Sequence, residues 1–490
     1  MTFPLVTVTL FLPLLGAGLL VAWRGVPTRG AHAVGLVASG LTLLGSLLMW
    51  ARGIPGEGFG QVEEVAWIPS LGAAYRVGVD GISLPLVLMT TILFFVSLVF
   101  SVQVSERARS YVALFLLLET ACIGTFLALD AVLFYVFFEV TLVGMYFVIA
   151  AWGYEGRQKA ALTFFLYTLL GSLPLLLAIL ALYLSSEPNT FDMRAYIDSP
   201  PLAGLGAMLV LLAMLVTFFV KTPVFPVHTW LPAAHVEAPT AGSVILAGVM
   251  LKLGTYGLVR FALQMTPDAF RALAPYVAAV AVFSALYGAF VALGQTDLKR
   301  LVAYTSVNHM GYVVLGVAVA AAATDTEART LALDGAVLQM VSHGAVTGAL
   351  FLLVGMLQDR AHTRAMDEFG GLLRIVPTLG WAFVLAAFAS LGLPGLAHFP
   401  AEFQIFLGTF YVYPVAAVVV LGIAVTAGLY LRAIQAAFLG EPGEGQRKME
   451  DLDAREVFSA APLLLLTVLL GVVPFVVLDV VHATTQGLLP

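Results

Sequence analysis

Long apolar runs separated by short polar stretches recur along the whole chain. Each run has the 18 or more residues needed to cross about 30 Å of hydrocarbon as a helix. Length and loop signals predict about fourteen spans, numbered in chain order: 3–23, 31–51, 80–103, 110–128, 131–152, 159–184, 202–234, 239–262, 272–294, 298–321, 331–357, 377–410, 412–438 and 457–482. The longest connections are 52–79, 185–201, 358–376 and 439–456. Spans 7 and 12 are too long for one crossing and carry helix-breaking residues, at Lys221-Thr-Pro-Val-Phe-Pro226 and Gly392-Leu-Pro-Gly-Leu-Ala-His-Phe-Pro-Ala-Glu402.

The two breaks lie five spans apart, and an odd offset inverts topology. Spans 4–8 and 9–13 therefore form candidate inverted repeats, an arrangement that places a working site near mid-membrane. The expected fold is all-α and polytopic: N-terminal spans 1–3 (1–105), a first repeat (110–262), an inverted second repeat (272–438) and a last span (457–482).

Composition agrees: 61% of residues are hydrophobic and 11% charged, with mean hydropathy +0.99, whereas a soluble domain is about 25% charged. The net charge of −6 carries little meaning, because the charges sit in loops on two membrane faces. Fourteen loop cations fall on the side reached after span 1 and six on the other. The first side is therefore expected to be cytoplasmic, with both termini on the outer side of a bacterial inner membrane. No basic stretch precedes the first apolar run, so span 1 reads as a retained helix. The single cysteine, Cys122, excludes disulfides within the chain and Cys metal clusters.

Against this apolar background the internal charges stand out. Of five lysines, Lys159, Lys299 and Lys448 read as loop residues, but Lys221 lies at the break of span 7 and Lys252 within span 8. An ammonium at the centre of a membrane helix costs about 2.5–3.5 kcal/mol on insertion scales. Lysine, unlike arginine, is able to shed that charge. Glu139 (span 5), His309 (span 10), His343 (span 11) and Glu402 (past the break of span 12) occupy similar depths. The six residues trace a candidate proton relay, with buried ion pairs that lock helices as the bland alternative.

Glu139 and Lys221 read as the ion pair: a nearby carboxylate favours the ammonium while desolvation opposes it. Glu119 and Glu139 flank the turn at Leu129-Asp130 and sit roughly 15 Å deep, so they could share a proton; the alternative for Glu119 is a bond to a neighbouring helix. Lys221, His228 and His235 are seven apart and would share one face if the helix were continuous, although three prolines oppose that. His228 is then a conduit or a cap of the broken helix. His309 and His343 suit a proton shuttle, since imidazole titrates nearest neutrality. No spacing matches metal ligands, and no phosphate loop, dinucleotide fingerprint or haem motif occurs, so this chain is expected to bind no metal or redox cofactor itself.

Four stretches carry a resemblance: Phe134-Tyr-Val-Phe-Phe-Glu139, the run from Lys221-Thr-Pro-Val-Phe-Pro-Val-His-Thr-Trp to Ser243, Asp297-Leu-Lys-Arg-Leu-Val-Ala-Tyr-Thr-Ser-Val-Asn-His-Met-Gly311, and Val337-Leu-Gln-Met-Val-Ser-His-Gly344. With them the chain resembles the antiporter-like membrane subunits of respiratory complex I from about 75 to 440. Glutamate at the outlet position, here Glu402, marks the M-type branch of bacterial NADH–quinone oxidoreductase. The resemblance implies that Glu139 and Lys221 are the input pair, Lys252 the central relay, His309 and His343 the bridge, and Glu402 the outlet. It implies neighbouring antiporter-like membrane subunits, with flavin, iron–sulfur clusters and NADH in other subunits, quinone met only through the complex, and no nucleic acid. The family's usual Asn-Phe-Val-Gly-Glu is His398-Phe-Pro-Ala-Glu402 here, which puts the local helix geometry in question. The rival readings are a subunit of a multisubunit cation/proton antiporter, a subunit of an energy-converting hydrogenase, and a structural scaffold.

Overall fold

A computed structural model describes residues 3–488 apart from 55, 57, 444 and 445. Among the described residues, thirteen helices are long and apolar enough to cross a membrane. They match the predicted spans one for one, except span 12. That span is split into Pro377–Ser390 and His398–Val412, neither long enough alone. Span 7 is split likewise, into Gly204–Lys221 and Trp230–Glu237. Span 14 bends at Pro474 into Ala454–Val472 and Phe475–Thr485.

Spans 8 (Thr240–Leu263) and 11 (Thr326–Ala361) are wholly enclosed over their apolar windows, and span 10 (Leu298–Ala322) almost so. Spans 8 and 10 are also the least apolar of the thirteen, and their polar side chains are buried rather than turned to lipid. Spans 1, 6, 13 and 14 form the rim and present leucine and valine outward, as at Leu15, Leu170, Leu177 and Val415.

The connection 52–79, expected as a plain loop, contains a β-hairpin: β1 (Gly60–Ile68) pairs antiparallel with β2 (Ala73–Val79). The turn closes at Gly72, whose φ of 66° is the left-handed region that glycine occupies without strain. The hairpin is tied to the helices by Arg76, which bonds Asp130 at 2.9 Å and Glu64 at 2.7 Å. Asp130 in turn caps span 5 by accepting from the backbone N–H groups of Val132 and Leu133.

Two cations expected in loops are buried. Lys299 lies in the first turn of span 10 with no exposed surface. Arg260 lies inside span 8, paired with Asp80 and bonded to Gln264 at 3.0 Å. Asp80 also accepts from Ser83 N–H at 2.9 Å, at the start of span 3. The pair therefore pins the hairpin's exit to the central span.

Removing one partner of a buried ion pair strands the other and costs about 3–5 kcal/mol. Asp80→Ala should lower the amount of folded chain in membranes and the unfolding temperature of the purified assembly. Asp80→Leu with Arg260→Met should recover most of the loss. Equal stability of Asp80→Ala and the parent chain would show that the pair locks nothing.

Candidate functional site: a buried line of lysines, histidines and glutamates

Both helix breaks arise where a turn lacks the hydrogen bonds of a regular helix, and both answer the freed groups with specific partners. At the first break, Pro223 and Pro226 have no N–H to donate. The Trp230 indole donates to the Val220 carbonyl at 3.0 Å, and Ser284 Oγ of span 9 accepts from Phe225 N–H at 3.0 Å. At the second break the Ser390 carbonyl faces two imidazoles, His309 Nε2 at 3.0 Å and His398 Nδ1 at 3.3 Å. Pro400 does not distort the second half-helix, because it lies in the first turn of His398–Val412, where no backbone donor is required.

The first cluster gathers around Lys221. Its ammonium donates to Thr141 Oγ1 at 3.3 Å and rests 4.5 Å above the Phe138 ring. Among the described residues no carboxylate oxygen comes within 4.0 Å of it. Glu139 is thus close enough to act on Lys221 electrostatically without contacting it. Thr141 and Phe138, one turn of the same helix, hold the ammonium instead. Glu139 is half-buried, and its buried Oε1 has no partner. Glu119 is fully buried and accepts from Ser39 Oγ at 2.9 Å, with Oε2 unpartnered. Cys122 lies within electrostatic reach of both Glu119 and Lys221.

The second cluster starts at Lys252. The expected unbroken helix is continuous but not regular: π-helical turns at Leu246–Met250 and Leu258–Leu263 flank the α-helical Leu251–Gly257. Such turns leave the local hydrogen-bond ladder displaced and are frequent at functional sites. Here the Lys252 ammonium donates to the Ala247 carbonyl at 2.6 Å and meets His343 Nδ1 at 2.7 Å. The partner absent from the sequence reading is therefore an imidazole. Gly254 lets span 8 approach the first break closely, since a Cβ there would stand 2.4 Å from Thr222 Oγ1.

From His343 the line continues by ring contacts. His343 and His309 have centroids 5.5 Å apart, and His309 and His398 4.5 Å. His309 Nε2 lies 3.8 Å, and His398 Nδ1 3.7 Å, from Glu402 Oε1. Gln339 Nε2 donates to the same oxygen at 3.3 Å. All of these groups are enclosed, and His309 Nδ1, His343 Nε2 and His398 Nε2 have no partner.

His228 does not join either cluster. It packs against Tyr287 of span 9 at 5.1 Å and Tyr304 of span 10 at 6.2 Å, because the break turns it away from the Lys221 face. The seven-residue spacing to His235 is likewise undone. His235 stacks on Phe351 of span 11 at 4.5 Å, within electrostatic reach of Lys252 and Lys299, and neither of its nitrogens has a partner.

Four participants escaped the sequence reading. Lys299 donates to the Ala238 carbonyl at 3.1 Å, over the Tyr154 ring, and lies near Asp359. Asp359 lines a polar cavity of about 770 Å³ that also reaches Arg360, Lys448 and Glu456, all on the cation-rich side. Gln339 was another; His398, noted in the sequence only as a departure that alters the outlet, was not read as a member of the line. The spacing of four between His398 and Glu402 was a visible sign that both lie on one helix face; nothing in the sequence pointed to Gln339.

The chain matches the family model described as NADH:quinone oxidoreductase/Mrp antiporter, TM, over residues 128–428. It is 40% identical to NADH-quinone oxidoreductase subunit M of Rhodobacter capsulatus, covering 99% of this chain and 96% of the relative. It is 37% identical to subunit M of Rickettsia prowazekii, covering 99% of both. Among solved structures, a chain of respiratory complex I from Thermus thermophilus with bound NADH is 32% identical with TM-score 0.89, over 99% of this chain and 100% of that one. A chain of the Mrp complex from Dietzia sp. DQ12-45-1b has TM-score 0.87 at 23% identity, over 100% of this chain and 98% of that one, and so shares the fold. The polytopic helical fold, the two broken spans and these full-length matches together place the chain in the family of NADH-quinone oxidoreductase subunit M, antiporter-like membrane subunits of complex I.

Proposed function

We propose that this chain moves protons across the membrane as the M-type subunit of NADH–quinone oxidoreductase, driven by redox chemistry in other subunits. The observation that carries the reading is the line Lys252–His343–His309–His398–Glu402, five enclosed titratable groups in consecutive contact inside membrane-spanning helices. A scaffold needs such groups fixed in charge and matched in pairs. Here a lysine meets a neutral-type acceptor, and three imidazole nitrogens stand free.

A proton on the Lys252 ammonium passes along its 2.7 Å contact to His343 Nδ1. The next steps go between imidazoles to Glu402, whose Oε1 is 3.7 Å and 3.8 Å from two histidines. Entry is from the cation-rich side, through the polar cavity at Asp359, then Lys299 and His235. Lys221 and Glu139 act as the neighbouring switch, with Glu119 and Cys122 beside them. Because Lys221 rests on a ring face and a hydroxyl, the distance of Glu139 sets how firmly the ammonium keeps its proton. Residues 110–262 and 272–438 serve as the two inverted half-channels, with 1–105 and 457–482 packed beside them.

The half-exposed Glu139, with Oε1 unpartnered midway along its span, calls for cover by a neighbouring membrane subunit. Flavin, iron–sulfur clusters and the NADH site belong to partner subunits, and this chain holds no redox group. The cation bias sets the cytoplasmic face and puts both termini outside a bacterial inner membrane.

Lys221→Ala should leave the complex assembled and reduce proton pumping to about a tenth or less. Unimpaired pumping in an assembled complex would sink the relay. Glu402→Gln keeps the size and an acceptor for Gln339 but carries no proton, so pumping should fall while assembly persists. Affinity purification of the chain should bring down flavin and iron–sulfur subunits; recovery of small antiporter subunits instead would favour the cation/proton antiporter reading.

A further inference from the structure

The second break assembles more than a relay. One ligand atom from each of His309, His398 and Glu402 lies within 4.8 Å of the other two. The Ser390 carbonyl sits against both imidazole nitrogens, at 3.0 Å and 3.3 Å. The glutamate edges measure 3.8 Å and 3.7 Å. A tetrahedral zinc ion with bonds of about 2.0–2.2 Å needs ligand atoms about 3.4 Å apart. Closing the glutamate edges to that value takes a movement of about 0.4 Å, within side-chain freedom. We propose that His309, His398, Glu402 and the Ser390 carbonyl form a binding site for a divalent transition cation of the zinc class.

The chemistry of the four atoms suits such an ion: two borderline imidazole nitrogens, one anionic oxygen and one carbonyl. Both nitrogens that face the Ser390 carbonyl carry hydrogen in that contact. On ligation each imidazole moves its hydrogen to the opposite ring nitrogen, His309 Nδ1 or His398 Nε2, and both are unpartnered. A metal-bound histidine is ordinarily steadied by a partner on that second nitrogen. Its absence here marks a reversible site rather than a resident structural metal. The cover over the site is thin: Glu402 Oε2 lies 2.8 Å from where a Cβ of Gly392 would stand, and Leu393, Pro394 and Gly395 next to it are exposed.

Binding stands on geometry alone. Its consequence rests on the relay reading: an ion held by His309, His398 and Glu402 occupies the lone pairs through which protons would pass, so it blocks the outlet.

The test uses the whole purified complex, stripped of loosely held metal by chelator and titrated with zinc chloride. The parent complex should hold one more zinc per particle than a His398→Ala complex. The X-ray absorption difference between them should show nitrogen and oxygen neighbours, imidazole among them, and no sulfur. Zinc should inhibit pumping by the parent complex over the same concentrations that fill this extra site. If His398→Ala fails to assemble, His398→Asn, which retains a polar group facing Ser390, replaces it. Equal zinc stoichiometry in parent and variant would overturn the site. Loss of one zinc in the variant, with zinc leaving parent pumping unchanged, would uphold the site and count against the relay.

Discussion

A charge inside a membrane helix must be answered by something, and what answers it decides what it is able to do. In this chain two kinds of answer coexist. Arg260 is met by the opposite charge of Asp80, and arginine does not release its proton, so that contact is a fixed lock between the hairpin exit and span 8. Lys221 and Lys252 are met by groups without fixed charge: a hydroxyl and a ring face for one, a carbonyl and an imidazole for the other. The glutamates follow the same rule, with Ser39 on Glu119 and Gln339 on Glu402. A charge answered by neutral dipoles is tolerated with its proton and is not trapped in that state by a counter-ion.

The helix irregularities serve this arrangement. Each break leaves a carbonyl without its helical donor, and side chains from elsewhere supply the bond: an indole at Val220, two imidazoles at Ser390. The π-helical turns on either side of Lys252 leave that segment's carbonyls displaced, and the ammonium takes Ala247. Regular helices would have consumed those carbonyls internally and offered the lysine nothing. At the second break the freed Ser390 carbonyl, His309, His398 and Glu402 serve both the relay and the proposed cation site, so the two would compete for one set of atoms.

Much of this was legible in the residues because the physics acts locally. Apolar run length set the fourteen spans, prolines and glycines marked both breaks, and the cost of burying charge singled out Lys221, Lys252, Glu139 and Glu402. What failed depended on folding in three dimensions. Lys299 and Arg260 lie near the predicted ends of their spans and so read as loop cations, yet tertiary packing encloses them. His228 lost its place on the Lys221 face once the chain turned at the prolines. The hairpin 60–79 was hidden in what reads as a connection. Gln339, near one end of the cluster, has nothing in its sequence surroundings to distinguish it from a packing residue, and His309 reaches Glu402 and His398 from a different span, with no spacing in the sequence to link them.

The central claim is that Lys252 passes protons rather than only filling space in the core. The direct measurement is the number of protons moved per NADH oxidised by the purified complex in sealed vesicles, with Lys252→Met set against the parent. Methionine matches the length and removes the proton. The expected result is an assembled complex in which pumping, or pumping together with NADH oxidation, is largely lost. An unchanged proton count at an unchanged rate of NADH oxidation would contradict the account.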